Sequence, residues 1–114
     1  MLKEAKLAMQ VDTTKYDAEI AAMLMSGAND LSIAGVTFEG DVTFSISGDT
    51  VTDNCTVSNM LIQRALITYA QAHANWQSEA KAARFRDSYD EQKAQLMHAT
   101  GYTDYGESTE GAEA

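Results

Sequence analysis

Few residues in this chain of 114 are of the types that perform nucleophilic, acid–base or metal chemistry. The two histidines, His73 and His98, stand on different predicted helices, and no H-x-x-x-H, C-x-x-C or EF-hand spacing gathers metal ligands. Cys55 has no adjacent base or cluster of positive charge that would lower its pKa, which favours an unreactive turn or buried thiol. Phosphate-binding glycine loops and nucleophile elbows are also absent from the sequence. We therefore predict no catalytic residues, no cofactor and no metal, and a protein that is not an enzyme.

The net charge of −9, from 17 acidic and 8 basic residues, restricts the partners of the chain. Nucleic-acid binding depends on Lys and Arg side chains that displace counterions, so we expect no direct recognition of DNA. Every charged residue between Lys15 and Arg64 is acidic. This segment is either a solvated surface that confers solubility, or a surface that repels DNA, as the lumen of a DNA-conducting ring needs, or one that binds a basic partner.

The cysteine count and the hydropathy pattern indicate the compartment. A single cysteine excludes an internal disulfide and does not suggest an oxidising environment. The first ten residues, MLKEAKLAMQ, lack the apolar region of a signal peptide, and no apolar run approaches the ~20 residues that span a membrane. We expect an intracellular product that has no membrane partner.

Apolar periodicity predicts four helices. A short helix covers residues 2–10, and a second begins near Tyr16, contains Gly27 on its apolar face, and ends at Ala34-Gly35. A long helix of roughly 22 residues begins near Thr56, and a final amphipathic helix covers about residues 79–98 after a short break. The last two helices form an αα-hairpin on which no catalytic constellation is found, which indicates a protein that functions by assembling.

Residues 36–53 change to the alternating period of β-strands, because Val42, Phe44 and Ile46 are separated by polar residues. A two-residue turn at Gly48-Asp49 would pair Ser47 with Thr50 and Ile46 with Val51. The segment is therefore predicted to be an inserted β-hairpin or a three-stranded ribbon.

Together these elements predict a mainly α fold, a small helical bundle built on a long αα-hairpin with a short inserted β-hairpin. Residues 1–98 form one domain, with the insertion at about 36–53, and residues 99–114 form a flexible acidic tail. The predicted core residues are Ile20, Leu24, Leu61, Ala65, Tyr69, Phe85, Tyr89 and Leu96.

One family shares the order of residues on the last two helices. The order in this chain is Ile62, Ala65, Tyr69, Ala72, His73, then Arg84, Phe85, Tyr89, Lys93, Leu96. It resembles the run "LxxAIxxYxKAxF…ERFxxSYxxxKxxL" of the small head–tail connector, or adaptor, proteins of tailed bacteriophages. The resemblance is strongest over residues 56–105, and Ala34-Gly35-Val36 stands where the family has a Gly-Val pair. The chain departs from the family in having no proline, where members often open the long helix with Asp-Pro.

The resemblance implies a structural role without enzymatic activity. Copies would form a homo-oligomeric ring, of about twelve subunits by resemblance, through a head-to-tail interface that closes on itself. The ring would bind the portal protein, extend the DNA channel without binding DNA specifically, and dock the next head-completion, stopper or tail protein. The protein would then be located at the head–tail junction of the virion after assembly in the bacterial host cytoplasm.

Charged and aromatic residues near the αα-hairpin corner and on the inserted hairpin are candidates for the ring and portal interface. These residues are Trp76, Arg84, Arg86, Asp87, Asp90, Lys93, Phe44 and Ile46. A mixed-charge helix face is ordinarily just solvated, but alternating signs also suit ion pairs between neighbours in a ring. A different function class is an acidic monomeric or dimeric regulator, such as a DNA mimic, that binds a basic protein.

Overall fold

The structure is a computed structural model that describes residues 1–48 and 50–98; the predicted tail at 99–114 lies outside the described residues. Its elements, in chain order, are α1 (Leu2–Met9), α2 (Asp17–Ile33), β1 (Phe44–Ser47), β2 (Thr50–Asp53), α3 (Met60–His73) and α4 (Glu79–His98). The predicted mainly α fold with an inserted β-hairpin is confirmed.

Helices α2, α3 and α4 form the bundle, and contacts at its two ends establish their directions. At one end, which we call the corner end, the ring of Tyr16 before α2 stacks on Trp76 after α3, with ring centroids 4.3 Å apart. Farther along, Asp30 of α2 forms an ion pair with Lys93 of α4. Helix α2 therefore runs antiparallel to α3 and in the same direction as α4. At the opposite end, the hairpin end, α2 and α4 end and α3 begins.

The core lies where α2 and α3 face each other. The largest fully buried side chains come from α2, from α3 and from the residue that follows the Gly35 turn: Ile20, Leu24, Leu31, Ile62, Leu66 and Val36. Each such side chain contributes about 1.5–3 kcal/mol by leaving water. Helix α1 covers one side of this core with Leu2, Ala5 and Met9, and the Gln71 amide of α3 donates to the Ala8 carbonyl.

Helix α3 is shorter than predicted: it has 14 residues and does not begin near Thr56. The Asn59 side chain accepts hydrogen bonds from the Leu61 and Ile62 amides and so caps the helix at this point. Thr56 instead binds the loop before the hairpin, because its amide donates to the Asp41 carbonyl and its hydroxyl accepts from the Asp41 amide. The Thr56 hydroxyl is thereby bound to the loop and is not available to cap a helix that begins at this position.

The inserted segment contains two strands, and the register is the predicted one. Ser47 pairs with Thr50 and Ile46 pairs with Val51 in an antiparallel sheet of two strands. The three-stranded alternative is wrong, because residues 37–43 form an irregular loop that is held against Thr56 and not a further strand. Apart from a single bridge residue at Val36, the β-structure of the 36–53 segment is therefore confined to its second half.

Leu61 does not lie in the core as predicted, since 55% of it is exposed. With the helix starting at Met60, Leu61 is in the first turn, and its neighbour Ile62 takes the buried position. Phe85 is half buried and lines a groove at the corner end, while Ala82 occupies the buried face of α4. Of the other predicted core residues, Tyr69 is partly buried against the core, and the rest are buried: Ile20, Leu24, Ala65, Tyr89 and Leu96.

Gly27 allows α2 and α3 to approach each other closely. A Cβ atom at this position would lie 3.1 Å from the Cγ and Cδ1 atoms of the Tyr69 ring. The ring itself is confined, because it stacks on His73 at 4.1 Å and meets the Tyr89 ring edge-on at 5.2 Å. Tyr69 therefore has little freedom to move away from a larger residue at position 27.

A shared carboxylate links α2 to α4. Asp30 Oδ2 accepts a hydrogen bond of 2.6 Å from the Tyr89 hydroxyl and one of 3.2 Å from Lys93 Nζ. Partial burial by itself would raise the pKa of Asp30, but these two donors outweigh it and lower the pKa below its ordinary value. Burial, and next the bond to Asp30, raise the pKa of Tyr89. Asp30 is thus held ionised and Tyr89 is held as a donor at neutral pH.

We expect Gly27→Val to lower the free energy of unfolding by about 1–3 kcal/mol, because the added side chain overlaps the confined Tyr69 ring. Urea unfolding followed by circular dichroism measures this change. Ser26→Val is the matched control, since the neighbouring side chain is exposed and reports only the cost of a β-branched residue in a helix. Equal effects of the two substitutions would contradict the close approach at Gly27.

We expect Tyr89→Phe to destabilise the protein by about 1–2 kcal/mol at pH 7, through loss of the hydrogen bond to the Asp30 carboxylate. Because the folded-state pKa of Asp30 is lowered, this contribution is present above the unfolded-state pKa of about 4 and is lost as the pH falls. Urea unfolding between pH 7 and pH 3 measures it. Tyr16→Phe is the control, since no hydrogen bond of the Tyr16 hydroxyl is found within the described residues; a pH-independent effect at Tyr89 would contradict the assignment.

Candidate assembly surfaces

Three described residues are of types with potential chemistry: His73, Cys55 and His98. His98 is exposed at the end of α4, on a different helix from His73, and the other two make local contacts. The ring of His73 stacks on Tyr69, and its Nδ1 lies 2.9 Å from the Tyr69 carbonyl oxygen one turn earlier. Within residues 1–48 and 50–98, no three His, Cys, Asp or Glu side chains come together in a metal-binding arrangement. The candidate functional features of the described residues are therefore surfaces that could contact other proteins.

Cys55 follows β2 in a turn where its surroundings favour the protonated thiol. The thiol lies 3.5 Å from the Thr43 carbonyl oxygen, and the Cys55 amide donates to Asp53 Oδ1 at 2.9 Å. Burial first, and then the hydrogen bond and negative charge of Asp53, raise the pKa of the Cys55 thiol to about 11. The thiolate, which is the nucleophile, is consequently scarce at neutral pH.

The outer face of α4 carries four predicted interface residues that are exposed: Arg84, Arg86, Asp87 and Asp90. Lys93, predicted to belong to the same surface, is half buried and forms its ion pair with Asp30 inside the subunit. The sequence pattern could not separate Lys93 from the other four, because its acceptor lies on α2, far away in the chain. The predicted interface on α4 is thus divided by tertiary contacts into a free face and an internal ion pair.

A groove of about 510 Å³ opens at the corner end, between the end of α1, the α3–α4 connection and the first turns of α4. Trp76 and Phe85 line it and are half buried, while Lys81 and Arg84 supply positive charge. No acidic side chain is among its lining residues in the described structure. Trp76, predicted as a corner anchor, is therefore shared between stacking on Tyr16 and lining this groove.

The inserted hairpin presents a second surface of different character. Phe44 is partly buried and packs against the core, whereas Ile46, two residues farther along the same face, is 49% exposed. Glu39 and Asp41, which precede the hairpin, are exposed. The hairpin is thus anchored at the base by Phe44, has an apolar residue nearer its tip, and is preceded by exposed acidic residues.

Exposed apolar residues at the hairpin end were not predicted as a surface. Ile33 ends α2 and is 78% exposed, and Met60, the first residue of α3, is 72% exposed. Leu61 and Met97 also carry exposed apolar area at this end of the bundle. The sequence contained one indication of this surface, the capping residue Asn59. A helix capped there begins at Met60, which places Met60 and Leu61 in its first turn, outside the packed part of the bundle. Isolated exposed apolar residues are common, but their concentration at one end is typical of contact surfaces.

The helices of the described residues include none that is both long and apolar enough to cross a bilayer.

We expect Cys55 to react slowly with a thiol reagent at pH 8. A thiol with a pKa of about 11 has roughly a hundredfold less thiolate at this pH than an ordinary cysteine with a pKa of about 8.5–9. Absorbance on reaction with a disulfide reagent, in native and in urea-unfolded protein, measures the difference. Asp53→Asn should accelerate the native reaction, since it removes the negative charge; a native rate equal to the unfolded rate would contradict the assigned environment.

Comparison with known proteins identifies one family. A family described as phage connector protein matches residues 1–103, which include the bundle, the inserted hairpin and all of α4. No curated protein and no solved structure matches the chain significantly. Phage connectors are structural components of the virion that contact other head and tail proteins, and they are not enzymes as a class. Because the match extends over most of its length, the chain belongs to the phage connector protein family.

Proposed function

We propose that the protein is a head–tail connector subunit whose copies form a ring under the portal protein. The ring extends the DNA channel and docks the next stopper or tail component. The single observation that carries this proposal is the family match over residues 1–103, which covers every described element. The physical features of the subunit support it in three respects.

First, the subunit has two distinct surfaces at opposite ends of the bundle. The corner groove is cationic and partly aromatic, whereas the inserted segment at the opposite end is acidic and exposes Ile46. Surfaces that differ in this way cannot bind themselves across a two-fold axis as readily as they bind each other head to tail. Repeated head-to-tail contacts generate a ring when the rotation between neighbours closes.

Second, the charge of the chain suits a channel through which DNA slides. The net charge is −9, and every charged residue from Asp17 to Asp53 is acidic. Negative side chains repel phosphates and give no counterion release, so they offer DNA a path without binding sites. In this proposal the acidic surface of the ring faces the lumen, and DNA passes without specific contacts.

Third, the apolar hairpin end provides a docking surface of the kind that binds another protein. Ile33, Met60, Leu61 and Met97 lie where α4 leads into the remainder of the chain. We assign these exposed helix ends, together with the residues after Lys93, to the portal contact, and leave the inserted hairpin and the corner groove for contacts between subunits. The opposite side of the ring then remains available for the next head-completion protein, and the subunit resides at the head–tail junction after assembly in the host cytoplasm.

We expect the protein to be present in purified phage particles in nearly the same molar amount as the portal protein, because in this proposal each portal subunit binds one connector subunit. Quantitative mass spectrometry with isotope-labelled peptides of both proteins measures the ratio. The major capsid protein in the same sample serves as the internal standard. If the chain is abundant in infected cells and absent from particles, the connector proposal is wrong and an acidic regulator that binds a basic protein is favoured.

A further inference from the structure

The corner groove concentrates positive charge on a strongly acidic subunit. Lys81 and Arg84 line it side by side on α4 and are exposed. Neither side chain takes part in an ion pair within the described residues, where the basic groups that do are Lys6, Lys93 and the terminal amine. The groove therefore has two cations, Lys81 and Arg84, that are unpaired within this part of the chain and lie beside two half-buried aromatic rings. A complementary ligand would carry acidic groups and an apolar side chain.

The inserted segment of the same chain has this chemistry. From Val36 to Asp53 its charged residues are all acidic, and Glu39 and Asp41 are exposed. Ile46 is exposed near the hairpin tip, and its cross-strand partner Val51 lies beside it on the same face of the hairpin. The segment is also held firmly, since Asn54 and Thr56 both donate from their amides to the loop that precedes the hairpin. A docking element with this support loses little conformational entropy on binding.

One subunit cannot place its own hairpin in its own groove. The segment is fixed to the start of α3 through Thr56 and Asp41, whereas the groove is built at the end of α3 beside Gln71. The length of α3, 14 residues or about 21 Å at 1.5 Å per residue, separates the two surfaces. The complementary surfaces can therefore meet only between two copies of the chain.

We propose that the acidic hairpin segment of one subunit docks into the corner groove of its neighbour and forms the contact between subunits. Glu39 and Asp41 then face Lys81 and Arg84, and Ile46 enters the groove between Trp76 and Phe85. Aromatic and arginine side chains of this kind dominate the energetics of protein contacts. The proposal rests on the proposed ring, since it identifies which surfaces close that ring.

Exchange of the charges tests the docking. In phage particles assembled with each variant, Lys81→Glu with Arg84→Glu is expected to lower the copies of the chain per portal at least tenfold. Adding Glu39→Lys and Asp41→Lys to the same chain is expected to restore them, because the ion pairs reform with reversed sign. Lys3→Glu with Arg64→Glu is the matched control: it changes the net charge equally at exposed positions outside the groove. Thermal unfolding of each purified variant confirms that it folds.

A cysteine pair gives an independent readout in the same particles. In a Cys55→Ser chain, Ile46→Cys together with Ser88→Cys at the groove is expected to give a ladder of disulfide-linked multimers on oxidation. Either cysteine alone is expected to give no ladder. Entry of the Lys81→Glu, Arg84→Glu chain at the wild-type level, failure of the reversed charges to restore entry, or absence of the ladder would overturn the docking while the connector role stands. Absence of the wild-type chain from particles would overturn both.

Discussion

The arrangement of the helices depends on one carboxylate that two side chains of another helix share. Asp30 of α2 accepts from both Tyr89 and Lys93, which lie one turn apart on α4. The Tyr69 ring of α3 lies between these helices, against Tyr89 on one side and against Gly27 on the other. This contact is partly buried among apolar side chains, so a shift of α4 along its axis would leave Asp30 and Tyr89 without their hydrogen-bond partners. The contact therefore favours one position of α4 in the bundle over shifted ones.

This internal contact also determines which surfaces remain free for assembly. With Lys93, Tyr89 and Leu96 directed inward, the outer face of α4 presents Arg84, Arg86 and their acidic neighbours. The stacking of Tyr16 on Trp76 secures the corner, and the end of α1 closes one side of the groove there. The subunit therefore offers rigid surfaces of opposite charge at its two ends, which is what a repeating head-to-tail contact needs.

The helices, their approximate order and the hairpin register followed from local patterns. Apolar spacing identified α1, α2 and α4 nearly to their bounds, and the pairing of Ser47 with Thr50 followed from a turn of two residues. The start of α3 could not be predicted from local patterns, because the apolar pattern extends back to Val57. The helix begins later because Asn59 caps it and because Thr56 is hydrogen-bonded to Asp41. Leu61 was assigned to the core for that reason, although it lies outside the packed length.

The amino-acid sequence by itself determined the mainly α class, the acidic charge that disfavours DNA binding, and the residue order that resembles phage connectors, because periodicity, charge and motif are properties of neighbouring residues. Only the tertiary structure decided how each candidate surface residue is used. It placed Lys93 and most of Phe44 inside the subunit, left Ile46 and Arg84 outside, and gathered Lys81, Trp76 and Phe85 around one groove. The physical reason is that burial and ion pairing depend on partners distant in the chain, such as Asp30 for Lys93, and no local pattern contains them.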